Sequence, residues 1–310
     1  MNTPHLLSSL SRSQLQDRLF GDGLDLLIPP FAVRVQSRID VVAEGLACLY
    51  ADYQISPFRG TGFSDFHVSL LSCRKWFRPL CTFQLDGVQS FTPLALSEAF
   101  ALFEWGLNWC VTSHCHQWVT LHAAVLERGG RAVILPAPPG SGKSTLCAAL
   151  MFRGWRLLSD ELTLLEPESG LVMPCPRPVS LKNISIDVIR ERAPDCTIGP
   201  IAHDTQKGTV AHLKVSHDSL LRAGERALPG WIVFPRYERG APLDVRVRAK
   251  SAALLDLARN SFNQHVHGRT GFQALARLVD TCDSFDLRYS QLDQAMVWFD
   301  ALEPPTAGWA

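Results

Sequence analysis

The stretch Ala137-Pro138-Pro139-Gly140-Ser141-Gly142-Lys143-Ser144-Thr145 constrains this chain more than any other. An apolar run from Arg131 to Pro136 leads into it, and Ser144 to Arg153 leaves it with the spacing of a helix that closes at Gly154. Strand, glycine-rich turn and helix in that order build a nest of inward-facing backbone N–H groups at a helix N-terminus, where a phosphate chain binds. Gly140 and Gly142 permit the turn, Lys143 reaches toward the β- and γ-phosphates, and Ser144 offers an oxygen to Mg²⁺. Pro139, Gly140, Ser141, Gly142, Lys143, Ser144 and Thr145 are therefore the expected nucleotide-binding residues, with ATP and Mg²⁺ as cofactors. Ala137 stands where the pattern usually has Gly, a replacement that many such loops tolerate. The competing reading is an ordinary Gly/Pro turn.

A chain of 310 residues is long enough for two domains. The texture changes near residue 115, so the expected division is 1–115, an α+β region of unassigned role, and 116–310, an α/β nucleotide domain with C-terminal helices. Lys+Arg and Asp+Glu balance at 30 each, so no overall field draws in nucleic acid or an anionic membrane, and no nucleic-acid partner is expected. No apolar run reaches the roughly 18 residues of a membrane span, and the N-terminal residues lack a basic region followed by an apolar one. The expectation is a cytoplasmic protein, with a homo-oligomer left open. Nine cysteines without a Cys-x-x-Cys pair read as reduced thiols. Cys110, His114, Cys115 and His116 cluster in sequence, but their spacing matches no common zinc module and packing is the favoured reading.

In the first region, Phe31 to Val35 and Asp65 to Leu70 alternate like strands, and Val41 to Tyr50 reads as a helix. Asp86-Gly87 marks a hairpin turn between Trp76–Leu85 and Ser90–Leu94. Leu94 to Cys110 reads as a mostly buried helix, because Glu98 and Glu104 would be costly in hydrocarbon. Residues 193–213, rich in Pro, Gly, Asp, Thr and Lys, read as a long loop. Beyond it, Gly230–Pro235 and Leu243–Val247 are expected strands. Ser251–Phe262, Gly271–Val279 and Ser290–Leu302 are expected helices, the last capped by Ser290.

A phosphate loop alone does not separate a kinase from an ATPase or a binder. Asp160 and Glu161 narrow the choice, because they follow Lys143 by only 17 and 18 residues at the end of an apolar strand. One short helix brings the chain back beside the loop. Two adjacent acids there can divide two tasks, one facing Mg²⁺ and one accepting the proton of an acceptor hydroxyl; the plain alternative is a solvated acidic turn. His122 lies 21 residues before Lys143 on an expected neighbouring strand. A lone strand histidine is more often a core residue than a catalyst.

Leu121-His122, Gly140-Ser141-Gly142-Lys143-Ser144, Arg153-Gly154-Trp155 and Leu158-Ser159-Asp160-Glu161 together resemble the HPr kinase/phosphorylase family, and more closely its offshoot called HprK-related kinase A. The resemblance runs over about residues 121–187. A looser likeness continues through Ser180-Leu181-Lys182-Asn183 and Phe234-Pro235-Arg236-Tyr237. It implies a compact P-loop, HPr kinase-like domain that phosphorylates a serine hydroxyl on a protein or peptide. By that resemblance Asp160 matches the general base, His122 assists it, and Glu161 helps to hold Mg²⁺ together with Ser144. A cation is expected beside the moving phosphoryl group, with Arg236 the first candidate and Arg248 the second; Lys182 and Lys207 are candidate phosphate or substrate contacts.

The chain also departs from the parent family. It has Asp160-Glu161 where the family has two Asp, and Pro139 where the family has Ser. Val179 to Ile184 replaces a Glu- and Arg-bearing signature, which puts the carrier protein HPr and the reverse phosphorylase reaction in doubt. Two alternatives stay open: a kinase of free serine or another metabolite, and a nucleotide-binding accessory protein with slow ATPase activity.

Overall fold

A computed structural model of the chain describes residues 5–57, 62–75, 77–138 and 140–303. Pro139 and Trp76 lie outside the described residues. In chain order the elements begin with α1 (Arg12–Phe20), β1 (Leu24–Ile28), β2 (Phe31–Ser37), α2 (Asp40–Leu49), β3 (Phe66–Lys75) and β4 (Arg78–Leu85). They continue with β5 (Val88–Gln89), β6 (Leu94–Ala95), α3 (Ala99–His114), β7 (Val119–Arg128), β8 (Arg131–Pro136), α4 (Lys143–Phe152) and β9 (Arg156–Ser159). Next come β10 (Leu162–Leu165), β11 (Val172–Met173), β12 (Val179–Lys182), α5 (Ile184–Arg192), β13 (Ala202–Thr205), β14 (Gly208–Leu213) and α6 (His217–Leu221). The chain ends with β15 (Leu228–Tyr237), β16 (Asp244–Val247), α7 (Lys250–Arg259), α8 (Gln264–Thr281), β17 (Asp283–Tyr289) and α9 (Leu292–Asp300). The fold is mixed α/β with several sheets.

The chain forms two compact units. The first comprises residues 1–111 and 180–220, the second 112–179 and 221–310. Residues 180–220, assigned from the sequence to the second region, group with the first.

In the first unit, β1 to β5 form a sheet in chain order, with β6 also paired to β4. Alternation builds it: β2 buries every second residue, and Val33, Val35, Val68, Leu70 and Phe83 enter the core. The Asp86-Gly87 turn is present, both residues at positive φ, and joins β4 to the short β5. α3 packs against this sheet through a close approach at Gly106, where a Cβ would stand 2.1 Å from the Phe83 ring. Glu104 is buried on α3 and accepts a hydrogen bond from the Tyr50 hydroxyl at 2.6 Å. The segment expected to be a long loop instead contains the β13–β14 hairpin, in a sheet ordered β12–β14–β13. Thr205 closes its turn, its hydroxyl donating to the Gly208 carbonyl and accepting from the Lys207 N–H.

The second unit has a larger sheet ordered β11–β10–β7–β8–β15–β17–β16, with β9 also on β7. β8, β15 and β17 run parallel, and β7 and β16 run antiparallel to their neighbours. β7 and β8 are almost continuously buried. Leu121, Ala123 and Val125 of β7 and Ile134 of β8 share a core with Leu257, Leu275 and Leu278 of α7 and α8. α4 packs on β7 as well, with α9 against it. β17 carries no apolar run and is not among the expected strands. Its neighbour α9 starts two residues later than expected: Ser290 is not the cap, because its hydroxyl donates to the Ala241 carbonyl at 2.7 Å. A buried ion pair fixes the frame: Arg156 Nε donates to Glu127 at 2.6 Å, and Gly130 N–H donates to the other carboxylate oxygen at 2.5 Å. No helix among the described residues is long and apolar enough to cross a membrane.

Candidate functional site

The carboxyl ends of parallel strands leave backbone groups and loops that no neighbouring strand covers, which is where sheets of this kind hold ligands. In the second unit β15 and β17 end in register at Tyr237 and Tyr289, past the end of β8. The loop after β8 carries Gly140 and Gly142, each at φ 85°, and α4 begins directly after Gly142. β15 runs past the end of β8 to lie beside this loop: Tyr237 N–H donates to the Ser141 carbonyl at 2.9 Å. Tyr289, in register with Tyr237 across β15 and β17, directs its hydroxyl at the Gly142 carbonyl at 3.4 Å.

These two tyrosines explain why residue 142 is glycine. A Cβ there would stand 2.9 Å from both the Tyr237 Cβ and the Tyr289 hydroxyl, on a backbone that L side chains rarely adopt. The rings meet edge to face with centroids 5.9 Å apart, and burial pushes the Tyr289 phenol far above its ordinary pKa. Neither tyrosine was a sequence candidate. Tyr237 stands beside Arg236 in a segment already singled out, whereas nothing in the sequence marks Tyr289.

Lys143 opens α4 and is 8% exposed. One residue on, the Ser144 hydroxyl donates to Asp160 Oδ2 at 3.2 Å. Asp160 is 4% exposed. Burial and then the charge of the Asp160 carboxylate push the Cys147 thiol, one turn further along α4, well above its ordinary pKa, against the pull of Lys143. Thus the first turn of α4 and the acid meet directly.

The local cause is a break in a ladder. β9 pairs with β7 at Val125–Glu127 and β10 pairs with the same strand at residues 119–122, which leaves Asp160 and Glu161 between them. The Ser159 hydroxyl steadies the break by accepting from the Leu162 N–H at 3.1 Å. Glu161 is half-buried, more accessible than Asp160. The acids therefore follow the end of a buried strand, as expected, and occupy the interruption between it and the next one.

His122 lies on β7 opposite Leu162, the residue after Glu161. It is half-buried, its backbone N–H donates to the Asn260 carbonyl at 2.7 Å, and its ring centroid is 5.9 Å from that of Phe262. Arg236, at the end of β15 before Tyr237, is 76% exposed and 3.6 Å from Glu238. Arg248 is committed elsewhere: it pairs with Asp256 and Asp286 and lies 4.1 Å over the Phe234 ring. Lys182 and Lys207 belong to the other unit, where the Lys207 ammonium is 4.6 Å over the Trp105 ring. Thr145 follows Ser144 on α4 and is half-buried.

Ser144 and Asp160 bring two hard oxygen donors together beside a buried ammonium and a loop with open space at Gly140. That donor set suits Mg²⁺ and a phosphate chain. Among the described residues no group of three or more His, Cys, Asp and Glu side chains gathers as a metal site, so a cation here would depend on serine, bound phosphate or water as well as the acids.

No family model matches this chain, and no curated protein matches it. Among solved structures, the Hpr(Ser) kinase/phosphatase from Coxiella burnetii is similar, with 15% sequence identity over 58% of this chain and 95% of that one, at a TM-score of 0.27. That likeness is too loose to transfer a residue or a reaction.

Proposed function

We infer that the second unit is an ATP- and Mg²⁺-dependent kinase that transfers the γ-phosphoryl group to a serine, or less readily a threonine, hydroxyl of a protein or peptide. The observation that carries this reading is the Ser144–Asp160 contact. A buried acid meets the first turn of the helix that follows the two-glycine loop. A module that only bound nucleotide would need Lys143 and Ser144 but no acid pair. The serine acceptor rests on the resemblance of residues 121–122, 140–144, 153–155 and 158–161 to HPr kinases.

In this mechanism the loop N–H groups of residues 140–143 and the start of α4 cradle the phosphates, and Lys143 balances their charge. Bound Mg²⁺ would neutralise charge on the β- and γ-phosphates, with Ser144 and one acid as its protein ligands. The remaining acid takes the proton from the acceptor hydroxyl, with His122 on the adjoining strand to assist. Arg236, exposed beside the loop, is free to turn toward the transferred group at little cost, since its pair with Glu238 is long and solvated.

Which acid does which task is open to a second assignment. The resemblance makes Asp160 the base and Glu161 the metal ligand. The Ser144 contact and the deeper burial of Asp160 favour the reverse, because a base must reach an incoming substrate while a metal ligand must reach Ser144. With γ-labelled ATP, Asp160→Asn and Glu161→Gln should each lower transfer by about 10²–10⁴-fold. The variant that also loses the Mg²⁺ dependence of nucleotide affinity identifies the metal acid. If both variants retained full transfer to a true acceptor, the kinase reading would fail. Peptides, free serine and an acceptor-free control run side by side separate a protein kinase from a metabolite kinase and a slow ATPase.

A further inference from the structure

The β3–β4 hairpin of the first unit changes character along its length. Near its base Val68, Leu70 and Phe83 are buried. Toward its tip Arg74, Lys75, Arg78 and Pro79 are exposed, and Lys75 faces Arg78 as the last pair of the ladder. Phe77, in the connection between them, is 99% exposed, and Leu71 lower on the hairpin is 41% exposed.

Charge is as one-sided as burial. Residues 66–85 contain no Asp or Glu; Asp65 and Asp86 bracket the opposite end. There Asp65 accepts from the Ala32 N–H, and Asp86 lies 3.7 Å from the His67 ring. Arg74, Lys75 and Arg78 have no acidic partner among the described residues. In a chain with a formal net charge of zero, three cations without an acidic partner among the described residues flank an exposed aromatic residue in sequence. Packing among the described residues gives no reason for either feature.

We propose that the tip of the β3–β4 hairpin, formed by Phe77 with Arg74, Lys75 and Arg78, docks this protein on an anionic lipid surface. An acidic peptide could satisfy the cations but would gain little from a fully exposed aromatic ring. A bilayer interface takes both, the ring entering the headgroup boundary while the guanidinium and ammonium groups meet lipid phosphates. The attachment is peripheral and adds no membrane-spanning segment. It is also independent of the kinase reading, since it uses no residue of the second unit.

The test is flotation of the full-length chain with vesicles of equal parts phosphatidylcholine and phosphatidylglycerol, against vesicles of phosphatidylcholine alone. The chain should float with the anionic vesicles, less so as salt rises, and not with the neutral ones. The triple substitution Arg74→Gln, Lys75→Gln, Arg78→Gln should lower partitioning by about 100-fold, at roughly fivefold per charge, and Phe77→Ser by about tenfold. Thermal melts of the variants should match the parent, because these side chains are exposed. Failure of the parent chain to bind anionic vesicles, equal binding to neutral ones, or binding unchanged by both variants would overturn the proposal. So would salt-sensitive binding to polyglutamate without binding to vesicles, which would identify an acidic polypeptide as the partner.

Discussion

β7 and β3 are strands of ten residues each, but they meet different surroundings. β7 is buried almost from end to end, as befits a strand inside a mixed sheet with helices packed on it. β3 alternates buried and exposed residues and then leaves the core entirely at Arg74 and Lys75. In a strand buried on both faces a polar residue is an exception that needs a reason. In an alternating strand every second residue is polar by default, so a functional one does not stand out.

The strongest way to break this comparison is to attack the charged group that the second unit buries most completely. Glu127 and Arg156 are 2% and 3% exposed. Glu127→Gln should cost about 3–5 kcal/mol, because it leaves the guanidinium buried without its counter-charge; urea unfolding measures it. Burial alone would raise the Glu127 carboxyl, but the Arg156 hydrogen bond, the Gly130 N–H and the charges of Arg156 and Arg222 outweigh it and hold the pKa below the ordinary 4.5. The folded value being the lower one, this stabilisation is complete above about pH 4.5 and is lost as pH falls through the folded value. The variant should show a flatter acid limb in a plot of stability against pH. A cost near zero would mean that burial does not make polar groups in this sheet exceptional.

The same contrast governs what could be read from the sequence. His122, Asp160 and Glu161 were legible because they interrupt apolar runs, and the loop because glycine, lysine and serine follow a strand at a fixed spacing. The β13–β14 hairpin was not, because Ala202-His203-Asp204-Thr205 has the composition of a loop and is held by Thr205 and by pairing to β14. β17 was missed for a similar reason: Asp283, Asp286 and Arg288 dilute its apolar residues, and its place in the sheet comes from β15 and β16. The return of residues 180–220 to the first unit depends on long-range packing that no local pattern encodes. Contacts such as Tyr289 to Gly142, 147 residues apart, and Ser144 to Asp160 exist only once the strands are placed.

A second prediction asks whether the chemistry belongs to the second unit alone. If the second unit is the proposed kinase, Lys143→Ala should weaken ATP binding by about 100-fold, which calorimetry can follow, because the proposed site loses the charge that balances the phosphates. Lys207→Ala, in the first unit, should leave that affinity within about a factor of two, since exposed or stacked cations contribute little individually. Equal losses from the two substitutions would break the division of labour.

Within the first unit a corresponding buried acid is Glu104, which accepts a hydrogen bond from the neutral phenol of Tyr50. Tyr50→Phe removes the hydrogen bond at 2.6 Å but leaves the ring in its core. A loss of about 1.5 kcal/mol is expected, smaller than for Glu127→Gln because no full counter-charge is stripped away. Denaturant melts of both variants compare the two frames directly, and a larger loss at Tyr50 would reverse their ranking.

The smallest effect sharpens the comparison by changing exposure while keeping the chemistry of the ion pair. Asp300 accepts from Arg128 Nη1 and Arg153 Nε, both at 2.6 Å, but all three side chains reach solvent. Its carboxyl lies below the ordinary 3.8: partial burial pushes it up, and the bonds and charges of Arg153 and Arg128 more than offset that push. The sign therefore matches Glu127, with stabilisation present above about pH 3.8 and lost as pH falls through the folded value. The magnitude should not match, because water and salt screen this cluster. Asp300→Asn should cost less than about 1 kcal/mol and still less in molar salt, while the loss from Glu127→Gln should be nearly independent of salt. Unfolding both variants at low and high ionic strength separates burial from pairing as the source of the difference: two salt-insensitive losses of equal size would show that pairing alone sets the stability of this unit.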